Sequence, residues 1–251
     1  WTVERMERGG YPHFMLKEIF EQPTAVVDTL NATLDRAHTD PFPLAKHRAS
    51  ELLLAADELV FVACGTSWHS ALLGKYWIEK YARIPVSVEL ASEFRYRDPV
   101  LRPNALVIGI TQSGETADTL AVIRDMRKRK VPTVAITNVR GSSISREAEG
   151  TFYTAAGPEI GVASTKAFIA QMATLICFAG ARSKADPKKA ESLFKDTIAL
   201  PHALHTYLAD EEGLTEKTKE VARALVDAKG FFFIGRGYSF PMALEGALKL
   251  K

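Results

Sequence analysis

Residues 105–116 have the sequence ALVIGITQSGET, a continuous apolar run followed directly by a turn that is rich in hydroxyl groups. The apolar run at 105–110 predicts a β-strand that is covered on both faces. A helical pattern begins at Thr116. The turn at 111–116 is therefore predicted to join a buried strand to a helix, as in α/β domains.

The same alternation of strand and helix extends through residues 45–185. The candidate strands are residues 59–63, 86–89, 105–110, 133–137 and 151–154, and the candidate helices are residues 67–81, 116–129 and 163–181. Continuous apolar strands that alternate with helices form parallel sheets with helices on both faces. We therefore predict a doubly wound, five-stranded parallel sheet of flavodoxin-like order.

Three further segments surround the predicted sheet domain. Residues 1–44 predict a helical leader with an apolar face and a break at Pro23. Residues 186–228 are charged and lack a strand pattern, which predicts a helical connector. Residues 229–251 predict the truncated start of a second domain of the same kind.

A short internal repeat supports the second domain. The sequence VACGTS at 62–67 matches IGRGYS at 234–239, and a helical pattern follows each. In both, glycine allows a tight turn at the end of a strand, and serine can cap the following helix. We therefore expect residues 230–234 to form a strand outside the first sheet.

The composition excludes several classes of partner. The chain of 251 residues has 32 Lys and Arg against 30 Asp and Glu, so nothing in its charge predicts nucleic acid or a membrane surface as a partner. Cys64 and Cys177 lie in apolar surroundings without paired spacing, which predicts reduced thiols and a cytoplasmic protein. The longest apolar segment, 162–181, contains polar residues and predicts a buried helix rather than a membrane span. The histidines have no metal-ligand spacing, so we expect no metal.

The turn at 111–116 has the chemistry of an anion site. Free N–H groups and the positive end of the helix dipole attract an anion, and hydroxyl groups add donors without charge. Capping of the helix by Ser113 or Thr116 would explain this turn alone equally well. Thr66 and Ser67, and the segment 162–164 with the sequence VAS, are predicted to meet it at the ligand-binding edge of the sheet, which favours a ligand. Since the glycine motifs for nucleotides are absent, we expect a small phosphorylated metabolite and no cofactor.

Several longer motifs resemble the isomerase domain of the glucosamine 6-phosphate synthase family. They are TQSGETADTL at 111–120, EIGVASTKAF at 159–168, ALEGALKLK at 243–251, CGTS at 64–67 and ASEFRYR at 91–97. The resemblance extends from residue 17 to the last residue. It implies two similar sugar isomerase (SIS) subdomains that bind a small phosphosugar, a glutaminase domain in the same polypeptide, and a homodimer.

The resemblance also implies residue roles. The phosphate-binding residues would be Thr111, Gln112, Ser113 and Thr116, and the sugar-binding residues would be Thr66, Ser67, Val162 and Ser164. The family usually has serine at position 111, so threonine is expected to keep the hydroxyl and tighten the pocket slightly. Lys249 matches an auxiliary lysine near the reacting carbons. The family's general base would lie just after Lys251, so we expect this fragment alone to lack turnover.

Two other functions share the same site. A phosphosugar-sensing SIS domain without chemistry would use the same Ser113 and Thr116, but the helix-turn-helix of such regulators has no counterpart in this sequence. Another aldose-ketose isomerase or deglycase of the superfamily is the second alternative, and the motif at 243–251 favours the synthase over it. We expect His69 to be a structural histidine rather than a catalytic base.

Overall fold

The computed structural model describes residues 7–35, 42–183 and 186–251. Its strands are β1 (Glu58–Ala63), β2 (Val86–Leu90), β3 (Ala105–Thr111), β4 (Thr133–Thr137) and β5 (Gly150–Tyr153). They form one parallel sheet in the order β2-β1-β3-β4-β5. This is the predicted flavodoxin-like order, in which the direction of winding reverses between β1 and β3. All five predicted strands are confirmed to within one residue at each end.

Helices precede, separate and follow the strands. They are α1 (Phe14–Phe20), α2 (Gln22–Thr33), α3 (Arg48–Ala55), α4 (Gly65–Tyr81), α5 (Ala91–Phe94), α6 (Ala117–Lys128), α7 (Ser143–Glu147), α8 (Lys166–Ala181), α9 (Pro187–Leu208), α10 (Glu211–Ala224) and α11 (Ser239–Leu250). Pro23 lies in the first turn of α2, where its missing N–H costs no helical bond, so the predicted break separates α1 from α2. None of these helices is long and apolar enough to cross a bilayer.

Both faces of the sheet are buried, which explains the continuous apolar strands. In β1, Leu59 and Phe61 face one side while Val60 and Val62 face the other, and all four are at most 2% exposed. The first side packs against α4 and α8, through Ala71, Ile78, Leu175 and Phe178. The second side packs against α6, through Leu120, Val122, Ile123 and Met126. The core is therefore a three-layer α/β sandwich.

The leader packs on the outside of α8. Val26 and Leu30 of α2 share an apolar cluster with Ile169, Ala173 and Cys177 of α8. The leader therefore shares a core with the sheet domain, and the boundary between residues 44 and 45 stays a prediction. Residues 1–6 and 36–41 of the predicted leader, and residues 184 and 185 at the next boundary, lie outside the described residues.

The prediction of a strand at 230–234 is wrong. These residues form neither a strand nor a helix, and Phe232 and Ile234 are 98% and 91% exposed. A strand is stabilised by hydrogen bonds to a neighbouring strand, and the described part of the chain offers this segment none. The following helix, α11, is confirmed from Ser239 onward, and α9 and α10 confirm the helical character predicted for 186–228.

Candidate functional site

A cavity of about 160 Å³ lies at the carboxyl edge of the sheet, where β1 and β3 end. Its lining residues are Cys64, Thr66, Ser67, Ile110, Thr111, Gln112, Ser113, Thr116 and Ser164. Seven of the eight predicted substrate-binding residues are in this set, and none of the nine lining residues has an ionised carboxylate, amine, guanidinium or imidazole side chain. Val162 is absent from the lining, and its side chain is fully exposed. Its predicted contact with a sugar stays a prediction.

The turn after β3 is held in shape by its own hydroxyl groups. The hydroxyls of Thr111 and Thr116 lie 2.7 Å apart, and the N–H of Gly114 donates to Thr111 Oγ1 at 3.3 Å. The N–H of Glu115 donates to Ser113 Oγ at 3.2 Å. Thr116 is the N-cap residue of α6, but its side chain makes no capping hydrogen bond. The Thr116 hydroxyl therefore serves the turn rather than the helix end.

The first residues of α7, the helix after β4, support this turn from the other side. The N–H of Ile144 donates to the carbonyl of Gly114 at 3.0 Å. The N–H of Ser143 donates to Glu115 Oε1 at 2.7 Å. This backbone hydrogen bond is the main reason why the pKa of Glu115 lies below its ordinary value. Glu115 is thus ionised and bound to the start of α7, and it does not line the cavity.

A buried amide fixes the side of the cavity that lies at the start of α4. Gln171 of α8, 2% exposed, donates from Nε2 to Ser67 Oγ at 2.9 Å. Its Oε1 accepts from the Ser70 hydroxyl at 2.8 Å. The orientation of Ser67 is therefore set by a different helix. Sequence reasoning missed this role of Gln171, whose only local signal is an amide in a largely apolar helix.

A buried carboxylate joins α11 to the cavity. Glu245, 5% exposed, accepts from the Thr66 hydroxyl at 3.0 Å and pairs with Lys249 Nζ at 2.9 Å. His69 Nδ1 lies 2.6 Å from its other oxygen. Lys249 Nζ also donates to Thr66 Oγ1 at 3.0 Å. Lys249 and His69 do not line the cavity. Lys249 is connected to it by its hydrogen bond to Thr66, which does.

The network lowers the pKa of Glu245. Burial raises this pKa, but hydrogen bonds from His69, Lys249 and Thr66 together outweigh burial, so the net shift is downward. A carboxylate with a depressed pKa in the folded state stabilises the fold above its unfolded pKa, and this contribution is lost as the pH falls through the folded pKa.

We therefore expect Glu245→Gln to be less stable than the wild type near neutral pH, with the difference shrinking below about pH 4.5 as the wild-type carboxylate is protonated. Urea unfolding of both proteins across this range measures the difference. Glu191→Gln is the control, because Glu191 forms an exposed pair with Lys195 and exposed pairs contribute little. A Glu245 difference that stays constant or grows in acid would contradict this assignment.

Two larger cavities contain none of the predicted site residues. One of about 700 Å³ lies between α2 and the loops after β4 and β5, and its lining includes Asn31, Arg140 and Tyr153. The other, of about 430 Å³, is mostly apolar and lies among α4, α8, α9 and α11. Within residues 7–35, 42–183 and 186–251, no three His, Cys, Asp or Glu residues are grouped so as to hold a metal ion.

A family model described as SIS domain matches residues 52–180. The chain belongs to the SIS domain family. The matched SIS region includes all five strands and the seven predicted residues that line the cavity.

The whole chain is similar to longer proteins that are named glutamine-fructose-6-phosphate aminotransferase (isomerizing). Identity is 44% over 261 residues to the protein of Methanosarcina acetivorans and 46% over 256 residues to that of Mycolicibacterium smegmatis. Both alignments cover 100% of this chain but only 41% and 40% of the relatives. The chain thus spans about two fifths of the length of these relatives.

A solved structure shares the architecture. The C-terminal domain of glucosamine-fructose-6-phosphate aminotransferase from Francisella tularensis has a TM-score of 0.85 and 40% sequence identity. The match covers 97% of this chain and 68% of that chain. The predicted fold class and the family resemblance of the sequence are therefore confirmed.

Proposed function

We propose that this chain is part of the isomerase half of an isomerising glutamine:fructose-6-phosphate aminotransferase and binds fructose 6-phosphate or glucosamine 6-phosphate. The observation that carries the proposal is the convergence of seven predicted residues on one hydroxyl-lined cavity at the switch point of the sheet. Three separate stretches of sequence supply them, at 66–67, 111–116 and 164. Such a convergence favours a ligand over simple helix capping.

The turn at 111–116 is the proposed phosphate site. Ser113, Thr116 and Gln112 supply side-chain donors, and the first turn of α6 supplies N–H groups and the positive end of its dipole. The volume of about 160 Å³ suits a phosphate group rather than a whole hexose phosphate. The sugar would therefore extend beyond this cavity, past Thr66, Ser67 and Ser164.

Lys249 is the proposed auxiliary group for the chemistry. Its ammonium group donates to the hydroxyl of Thr66, and Thr66 lines the sugar end of the cavity. A cation held at that place by Glu245 would stabilise negative charge on the sugar while a proton moves between adjacent carbons. Lysine alone cannot also open the ring and act as the base, so isomerisation and amination by ammonia from glutamine belong to the complete polypeptide.

The other functions that share this site fit the similarities less well. Relatives at 44% and 46% identity over the whole chain are named as aminotransferases rather than as regulators or deglycases. A glutaminase domain in the same polypeptide, a homodimer and a cytoplasmic location are part of the same proposal. The two cysteines are free thiols, which suits a reducing compartment.

Ser113→Ala tests the phosphate assignment. We expect binding of fructose 6-phosphate to weaken by about 1 to 3 kcal/mol, because a hydrogen bond to a charged group is lost. Calorimetry on the complete polypeptide measures the change. Ser145→Ala is the matched control, since the Ser145 hydroxyl donates to the Ser142 carbonyl in α7 and does not line the cavity. Unchanged affinity in Ser113→Ala would contradict the assignment of the phosphate site to this turn.

A further inference from the structure

The leader carries a buried carboxylate that the proposed function does not use. Glu18 of α1 is 2% exposed, and its Oε1 accepts from the N–H groups of Ile160 at 2.6 Å and Gly161 at 3.1 Å. A buried polar group is costly unless hydrogen bonds satisfy it, and here two backbone donors of a distant loop do so. Glu18 is 142 positions from Ile160 in sequence. The leader is thereby bound to the loop between β5 and α8.

A second contact ties the end of this loop to the leader. The side chain of Lys166, 3% exposed, places Nζ 2.5 Å from Glu21 Oε2 at the end of α1. Glu21 also pairs with Lys17 at 3.4 Å. The segment 160–166, which runs from the loop into the first residue of α8, is therefore held at both ends by residues 18–21 of the leader.

A third carboxylate carries this restraint to the cavity. Glu159, next to Ile160, accepts from the Ser164 hydroxyl at 2.8 Å and from the N–H groups of Thr165 at 2.8 Å and Ala167 at 3.1 Å. These bonds fold the loop back on itself and satisfy the start of α8. Ser164 is the residue of this loop that lines the cavity. Its position thus depends on where the leader holds residues 159–161.

The fit between Glu18 and the loop is close. A Cβ on Gly161 would lie 2.6 Å from Glu18 Oε2, so a larger residue there would displace the carboxylate. Glycine at position 161 therefore lets the two backbone N–H groups approach Glu18 without displacing its carboxylate. The contact is therefore specific to this pair of segments.

We propose that Glu18 is a positioning residue of the sugar-binding side of the site. It holds the 159–164 loop so that Ser164 faces the cavity, and among the described residues its carboxylate accepts from the N–H groups of Ile160 and Gly161 rather than from the phosphate turn at 111–116. The proposal rests on the proposed function, because it assigns a sugar to the part of the cavity that Ser164 lines. It also makes the leader a component of the site rather than a linker.

Two ligands separate the sugar side from the phosphate side in the complete polypeptide. Inorganic phosphate probes the 111–116 turn alone, whereas fructose 6-phosphate probes the turn and the loop together. Calorimetric titrations compare the wild type with Glu18→Ala and with Glu18→Gln, which keeps the shape and one acceptor oxygen. Gln22→Ala is the control, since Gln22 also lies in the leader and its side chain donates to the carbonyl of Ile19 within the leader.

We expect Glu18→Ala to bind fructose 6-phosphate about tenfold more weakly and phosphate within about twofold of the wild type, with Glu18→Gln between the wild type and Glu18→Ala. Gln22→Ala should leave both affinities unchanged. Equal weakening of the two ligands, or weakening of neither, would overturn the positioning role.

Amide hydrogen exchange tests the contact without a ligand. In Glu18→Gln, which keeps the size of the side chain, the N–H groups of Ile160 and Gly161 should exchange faster than in the wild type. This result decides the inference if Glu18→Ala does not fold, and unchanged exchange would overturn it. A wild type that binds no fructose 6-phosphate would instead reject the proposed function, while the exchange rates still decide whether Glu18 holds the loop.

Discussion

Gly114→Ala is expected to abolish phosphosugar binding and to lower the free energy of unfolding by about 2 to 4 kcal/mol. Gly114 has φ of +74°, which alanine adopts only with strain. A Cβ at this position would lie 2.1 Å from Ser142 Oγ and 2.4 Å from Ser142 Cβ. Ser142 is 4% exposed and has no room to withdraw, so the turn that carries Ser113 must move.

Gly141→Ala separates backbone strain from the steric clash. Gly141 has a similar φ of +71°, but a Cβ there would have no neighbour within 4 Å. We expect this variant to lose only about 1 kcal/mol and to bind fructose 6-phosphate like the wild type. Thermal or urea unfolding and calorimetry on both variants make the comparison. Equal stability losses with intact binding in both would show that the 111–116 turn is not a closely packed binding element.

The sheet could be predicted because its strands are buried on both faces. Phe61 and Val62 point to opposite sides of β1 and both are fully buried, so the local sequence is apolar at every position. Such strands alternating with helices leave few arrangements other than a doubly wound parallel sheet. The order then follows from the topology that this class of sheet prefers.

The strand predicted at 230–234 failed for a physical reason. The run from Phe231 to Ile234 is as apolar as the true strands, but local sequence reports only the tendency to form a strand. Formation also requires pairing with a neighbouring strand, and no described strand pairs with this segment.

The phosphate turn could be predicted, but the residues that support the cavity could not. Hydroxyl groups between a strand and a helix give a local signal at 111–116. Glu18 and Glu245 give none, and Gln171 gives only an amide in a largely apolar helix, because each contacts a residue at least 104 positions away, namely Ile160, Thr66 and Ser67 respectively. Which polar side chain becomes buried beside which loop depends on the packing of the helices.

If the 111–116 turn holds the phosphate of a phosphosugar, fructose 6-phosphate should bind at least about 100-fold more tightly than fructose, because two or more hydrogen bonds to a charged group are involved. Ser113→Ala should narrow this gap by weakening only the phosphorylated ligand. Calorimetric titration of the complete polypeptide with the two sugars measures both effects. Equal affinity for fructose and fructose 6-phosphate, in the wild type and in Ser113→Ala alike, would contradict a phosphate site at this turn.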